Sequence, residues 1–131
     1  MTRILVVDDS PTMRRIIATN LKSAGFDGID EAEDGRVALI KMLRSTVDLL
    51  IVDWAMPEMT GLELLRALRS APSLRDLPVL MITGVGAEED IREALEAGVN
   101  AYIIKPFDAD TLAEKVNDLV GPRPTVPGGR P

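Results

Sequence analysis

Cysteine and histidine are both absent from this 131-residue chain. Without cysteine there is no disulfide framework and no thiolate chemistry. Without histidine the commonest metal ligand is missing, and so is the usual general base at neutral pH. Positive charge is also in deficit, with 15 Lys and Arg against 21 Asp and Glu and a net charge of −6. An acidic chain gains nothing from the phosphate backbone, so direct nucleic-acid binding is disfavoured. No apolar run approaches the ~20 residues that a membrane-spanning helix needs. Any chemistry must therefore rest on carboxylates, hydroxyls, lysine or a metal. What is present is ordinary for a globular protein, 46% hydrophobic and 27% charged residues, enough for one domain with a buried core. Met1-Thr2-Arg3-Ile4 runs at once into a strand-like stretch. No signal peptide is expected on that ground, and a cytoplasmic monomer is the default.

Short apolar runs alternate with amphipathic stretches. Arg3 to Val7 reads as a buried strand ending at Asp8-Asp9, and Asp48 to Asp53 as a second strong strand ending on an acid. A weak strand is expected at Asp30 to Ala32, another from Pro78 to Thr83, and a last one at Ala101 to Ile104 before Lys105-Pro106. Between them lie helical patterns. Ser10-Pro11 opens the first as cap and first residue, with Met13, Ile16, Ile17, Leu21 and Ala24 at helical spacing and Gly25 as its stop. Val37, Leu39, Ile40 and Leu43 predict the apolar face of the second helix, which Asp34-Gly35 opens, and Leu62, Leu65 and Leu68 that of the third. Glu88 to Ala97 predicts an acidic fourth helix stopped by Gly98, and Leu112, Val116 and Leu119 a fifth. Glu88, Glu89, Asp90, Glu93 and Glu96 are most simply a solvated face. Strands buried on both faces and separated by helices predict an α/β fold, a doubly wound five-stranded parallel sheet in a three-layer sandwich. Residues 1–120 form this domain, and the Pro/Gly-rich segment 121–131 reads as a disordered tail or linker.

In such sheets the working site lies beyond the carboxyl ends of the strands. The polar residues expected there are Asp8, Asp9, Asp53, Thr83 and Lys105. Any one of them is as often a turn or capping residue; all of them on one edge make a site. Three carboxylates packed together repel, and a hard divalent cation with oxygen ligands relieves that repulsion. Mg²⁺ fits best, because it takes one or two carboxylates, keeps waters and meets phosphate oxygens. A carboxylate beside Mg²⁺ can attack phosphorus and form an aspartyl phosphate. Asp53 is followed by a loop and is approachable, which nominates it as the nucleophile. Lys105 and the Thr83 hydroxyl would hold the remaining phosphoryl oxygens.

Val6-Val7-Asp8-Asp9-Ser10, Asp53-Trp54-Ala55-Met56-Pro57 with Gly61, Thr83-Gly84 and Lys105-Pro106-Phe107 together resemble the receiver domain of two-component response regulators, over residues 1–120. Within that family the chain is most similar to the single-domain chemotaxis members. The resemblance implies a flavodoxin-like strand order 2-1-3-4-5. It implies that a histidine kinase phosphorylates Asp53, and that Asp8, Asp9, Asp53 and the Ala55 backbone carbonyl hold Mg²⁺. Lys105 and Thr83 would contact the phosphoryl group, and Gly84 would leave it accessible. Thr83 and Tyr102 would act as the switch, and Lys105-Pro106 would be cis. Ile91, Leu95, Val99, Tyr102 and Lys115 would form the output face, with a flagellar motor switch protein or another signalling protein as partner. A general phosphorelay receiver and a receiver detached from a longer regulator are the alternatives within the family.

The chain departs from the chemotaxis pattern at Ala55 and Val85, both apolar where polar side chains are common. Neither can hydrogen-bond an attacking water, so a phosphoryl lifetime unlike the typical one is expected. Ala55 also argues against a turnover phosphatase of the haloacid-dehalogenase type, which places a second Asp there. Asp8-Asp9 would repel the phosphate of a flavodoxin's cofactor.

Overall fold

The computed structural model describes residues 2–121. The expected tail therefore lies outside the described residues, except for Gly121, which closes the last helix. Ten elements alternate strictly: β1 Arg3–Val7, α1 Pro11–Ser23, β2 Gly28–Ala32, α2 Gly35–Arg44, β3 Leu49–Asp53, α3 Gly61–Ser70, β4 Val79–Thr83, α4 Glu88–Ala97, β5 Ala101–Ile104 and α5 Ala109–Val120. The sheet order is β2-β1-β3-β4-β5, with all pairs parallel. This is the α/β sandwich that the alternating pattern predicts.

The central strands are apolar on both faces because both faces are covered. One face carries Ile4, Val6, Leu49, Ile51, Leu80 and Ile82 and packs on Ile17 and Leu21 of α1 and Leu112 and Val116 of α5. The other carries Leu5, Val7, Leu50, Val52, Val79 and Met81 and packs on Ala38 and Met42, Leu64, Leu65 and Leu68, and Ala94. Edge strand β2 shows Asp30 and Glu31 to solvent, charges that discourage pairing with another chain.

Local signals set the helix starts. The Ser10 hydroxyl accepts the Met13 N–H at 3.2 Å, and Pro11 occupies the first turn. Asp34 caps α2 through the Val37 N–H, and Asp108 caps α5 through the Thr111 N–H. Thr60 and Glu63 close a reciprocal capping box at α3. Gly25 and Gly98, at φ 98° and 104°, adopt the left-handed conformation just past α1 and α4.

Three helix faces differ from expectation. Ile16 on α1 is exposed, and so are Ile40 and Leu43 on α2, Leu43 by 64%. On α2, Gly35 and Ala38 take inward positions instead. Gly35 lies so close to the loop after β3 that a Cβ there would meet Met59 Sδ at 2.5 Å, and Ala38 and Met42 face the core. On α3 the buried set is Gly61, Leu64, Leu65 and Leu68, with Leu62 only partly buried. Spacing alone does not distinguish adjacent leucines; the close approach of Gly61 to Trp54 sets the rotation.

Arg69 ties α3 to the far end of α4. Its guanidinium donates to the Gly98 carbonyl from Nε at 3.2 Å and Nη2 at 2.7 Å, and to the Asn100 side chain. It also donates to the carbonyls of Arg75 and Leu77. Asn100 Oδ1 in turn accepts the Val79 N–H at the start of β4. Charge-assisted bonds to carbonyls carry ~1.5–3 kcal/mol in favourable cases. Arg69→Ala is therefore expected to cost about 2 kcal/mol in urea unfolding, with a clearly lower thermal midpoint. A change below ~0.5 kcal/mol, the range of neutral surface substitutions, would contradict this role.

Candidate functional site

Because the strands are parallel, their carboxyl ends share one edge. Asp8 and Asp9 follow β1, Asp53 ends β3, Thr83 ends β4 and Lys105 follows β5. The connections leaving β1 and β3 diverge to opposite sides of the sheet, which opens a crevice between those two strands. One carboxylate oxygen from each of Asp8, Asp9 and Asp53 meets the others in it, all three within 4.8 Å of one another. Asp8 and Asp53 are buried, 2% and 6% exposed, while Asp9 is open to solvent.

Lys105 reaches the cluster from the neighbouring loop. Its Nζ lies 3.4 Å from Asp53 Oδ1, and its backbone N–H donates to the Thr83 carbonyl at 2.7 Å. The Lys105–Pro106 bond is cis, as expected. Thr83 is buried at the end of β4. Asp8 Oδ1 accepts the Ser10 N–H at 2.8 Å. Asp8 Oδ2 is buried and accepts no hydrogen bond.

Burial is the main cause that raises the Asp8 carboxyl above its ordinary value; repulsion from Asp53 and Asp9 adds to it, against the Ser10 N–H and Lys105. Burial likewise raises Asp53, with Asp9 adding and Lys105 opposing. An orphaned buried carboxylate oxygen amid an all-oxygen donor set fits a hard divalent cation. The cluster has the composition and spacing for such an ion.

Below the site, Trp54 is buried and donates its backbone N–H to the Ile82 carbonyl at 2.9 Å. Gly61 packs so tightly on it that a Cβ would stand 2.5 Å from the indole. The site's rim is open. Ala55, Gly84 and Val85 are exposed, and a Cβ added at Gly84 would meet nothing within 4 Å.

The expected output residues divide. Leu95, Tyr102 and Lys115 line one open groove of about 450 Å³ with Ile104 and Thr111. Tyr102 is 37% exposed. Ile91 packs partly into the core. Val99 is buried, 7% exposed, among the core residues on the α3 and α4 side, so it presents no surface. It sits in the turn between α4 and β5, where its N–H bonds the Ala94 carbonyl and turns it inward. Ile104 was absent from the expected set, although alternation along β5 places it on the same face as Tyr102.

A parallel 2-1-3-4-5 sheet with this acidic crevice and its facing lysine defines a response regulator receiver domain. Residues 4–117 match the model of the response regulator receiver domain family, and the chain belongs to that family. It is 48% identical over 117 residues to the chemotaxis protein CheY of Pseudomonas aeruginosa, spanning 89% of this chain and 94% of that one. Identity to chemotaxis protein CheY-3 of Vibrio cholerae is 47% over 117 residues, 89% and 90% of the two chains. Among solved structures, chemotaxis response regulator CheY4 of Vibrio cholerae superposes with a TM-score of 0.84 at 34% identity, covering 91% of this chain and 98% of that one. The receiver domain of a signal transduction histidine kinase from Syntrophus aciditrophicus gives the same TM-score and identity, covering 92% and 90%. Among the described residues, no helix is long and apolar enough to cross a membrane.

The raised carboxyls have a consequence for stability. An acid whose folded pKa lies above its unfolded one holds its proton more tightly when folded. Stability is then lost as pH rises from ~4 through the raised folded value, and the ionised pair opposes folding at neutral pH. Asp8→Asn is expected to raise the cation-free thermal midpoint at pH 7, by an amount that shrinks toward pH 4. Thermal unfolding over that pH series measures it. A variant less stable than the parent at pH 7 would contradict the repulsion.

Proposed function

We propose that this domain is a phosphorylation switch that takes a phosphoryl group from a histidine kinase onto Asp53 and thereby changes its affinity for a protein partner. The observation that carries the reading is the meeting of three carboxylates within 4.8 Å, with Lys105 3.4 Å from Asp53. Asp8, Asp9, Asp53 and the Ala55 carbonyl would hold Mg²⁺. When bound, Mg²⁺ offsets the charge on the phosphoryl oxygens. An Asp53 carboxylate oxygen attacks phosphorus, the new O–P bond forms and the P–N bond of the donor phosphohistidine breaks. The imidazole leaves with its electron pair and takes its proton from solvent. Lys105 moves its charge from Asp53 to a phosphoryl oxygen, and the Thr83 hydroxyl donates to another. Gly84 leaves the approach open.

Phosphorylation adds about −1.5 to −2 charge and three strong acceptors beside Thr83. Thr83 is drawn toward them, and Tyr102, two residues before Thr83's register partner Ile104, repacks inward. The groove of Leu95, Tyr102 and Lys115 reads out that change. Relatives named for chemotaxis, matched over most of both chains, favour the flagellar motor switch as partner. Residues 1–120 are the receiver and 121–131 a tail or linker. The domain promotes its own phosphorylation and slow dephosphorylation rather than turning over a substrate, because Ala55 supplies no acid or base at the acceptor.

Trp54 adjoins the acceptor and reports on it. Its emission is expected to change on adding Mg²⁺ and again on adding a small phosphodonor or beryllofluoride. Asp53→Ala is expected to abolish the second response completely; its persistence, or silence in the parent protein, would refute the reading.

The exposed Ala55 leaves the attacking water without a partner. In Ala55→Asn an amide can orient that water, and one such bond is equivalent to about 1.4 kcal/mol, or tenfold in rate. Phosphoryl loss, followed with radiolabelled protein, is expected to accelerate by up to about tenfold on this basis. An unchanged lifetime would count against the role of this position.

A further inference from the structure

We infer that Arg14, on the first turn of α1, is a positioning residue that sets the geometry of the acidic turn. The inference rests on the reading of Asp8, Asp9 and Asp53 as a cation site.

The registers of β1 with β2 and β3 both end at Val7. The Asp8 carbonyl therefore lies beyond the ladder, and Arg14 Nη1 donates to it at 2.6 Å. That carbonyl belongs to the peptide joining Asp8 to Asp9. Its orientation fixes the backbone rotation between them, and hence the directions in which both carboxylates leave the chain. The same guanidinium donates from Nε to Glu31 Oε1 at 3.0 Å. The Arg14 side chain is only 16% exposed, while Glu31 closes the contact from the solvent side.

Glu31 is itself held. Its backbone carbonyl accepts Lys41 Nζ from α2 at 2.7 Å, and Lys41 also pairs with Asp30. The Asp8 N–H donates to the Ala32 carbonyl at the end of the same strand. A strap thus runs from α2 through β2 and Arg14 to the peptide between the two acids. Its effect is geometric. The Arg14 fork is engaged by the Asp8 carbonyl and by Glu31.

Geometry and charge make different demands on the ion. Mg²⁺ requires near-ideal octahedral ligands, whereas Ca²⁺ tolerates irregular ones. Loss of the strap weakens Mg²⁺ more than Ca²⁺; general loosening weakens both alike, and loss of the Arg14 positive charge by itself strengthens both. Arg14→Lys keeps the charge but not the fork.

The test is titration of Mg²⁺ and of Ca²⁺ against Trp54 emission in the full chain, for the parent, Arg14→Met, Arg14→Lys and Glu31→Gln. Both Arg14 variants are expected to bind Mg²⁺ about tenfold more weakly, the lower range for loss of an outer contact to a metal site. Their Ca²⁺ affinity is expected to fall by less than about threefold, the looser geometry that ion accepts. Glu31→Gln, which leaves Arg14 in place, shifts Mg²⁺ in the same direction by a smaller factor and carries the test should an Arg14 variant fail to fold. Parent-like Mg²⁺ affinity in Arg14→Lys, or equal losses for the two ions, overturns the positioning role while leaving the cation site intact. A parent protein that binds neither ion overturns both readings together.

Discussion

Three carboxylates forced into one crevice are the constraint around which the rest of the molecule is arranged. Their repulsion cannot be relieved by solvent, because Asp8 and Asp53 are buried at strand ends. Lys105 offsets part of it from one side at 3.4 Å, and the Asp8 oxygen that accepts no hydrogen bond marks what the lysine leaves uncompensated. A site in this condition responds strongly to any added charge. A cation would relieve it, and the proposed phosphoryl group on Asp53 would rearrange it by offering Lys105 a second partner.

Holding like charges together requires a rigid support, and the sheet supplies it. β3 and β4 are buried along their whole length, and each connects the crevice to both apolar layers. Burial of ~25 cal/mol per Å² over such strands exceeds the cost of a few strained carboxyls. The loops that carry the acids are then fixed by backbone bonds: Asp8 N–H to Ala32, Trp54 N–H to Ile82, Lys105 N–H to Thr83. Each joins the end of one strand to its neighbour, so a shift at one polar group is felt at the next.

The legible part of the sequence follows from the same physics. Strands covered on both faces must be uninterrupted apolar runs, which is why β1 and β3 stand out and β2, with Asp30 and Glu31 at an edge, hardly does. Acids and a lysine that terminate such runs converge by topology alone, so Asp8, Asp9, Asp53, Thr83 and Lys105 could be placed on one edge before any coordinates. Ion chemistry narrowed further because histidine and cysteine are missing. Helix faces were harder. Ile40 and Leu43 look like core on spacing, yet α2 lies against the sheet through Ala38 and Met42, and close approach favours small residues that carry no strong hydrophobic signal. Val99 was misplaced because a turn residue's direction depends on which carbonyl its N–H finds. Arg14 and Arg69 were invisible for a related reason. Both act on backbone carbonyls, which every residue possesses, so nothing in side-chain identity announces the partner.

Those two arginines also restrain the molecule unevenly. Arg14 secures the acid-bearing turn after β1, and Arg69 secures the carboxyl end of α4. The amino end of α4 has no comparable restraint. Ala87 offers no side-chain cap, the first turn relies on Glu88, Glu89 and Asp90 to meet the helix dipole, and Gly84, Val85 and Gly86 before it are exposed. This weakly held connection leaves Thr83 directly. The proposed displacement of Thr83 toward Asp53 would therefore be taken up along the β4–α4 connection sooner than at the Arg69 anchor. On the proposed switch, the helix bearing Leu95 would pivot about its far end, and the groove beside Tyr102 lies along the edge that such a pivot would open or close.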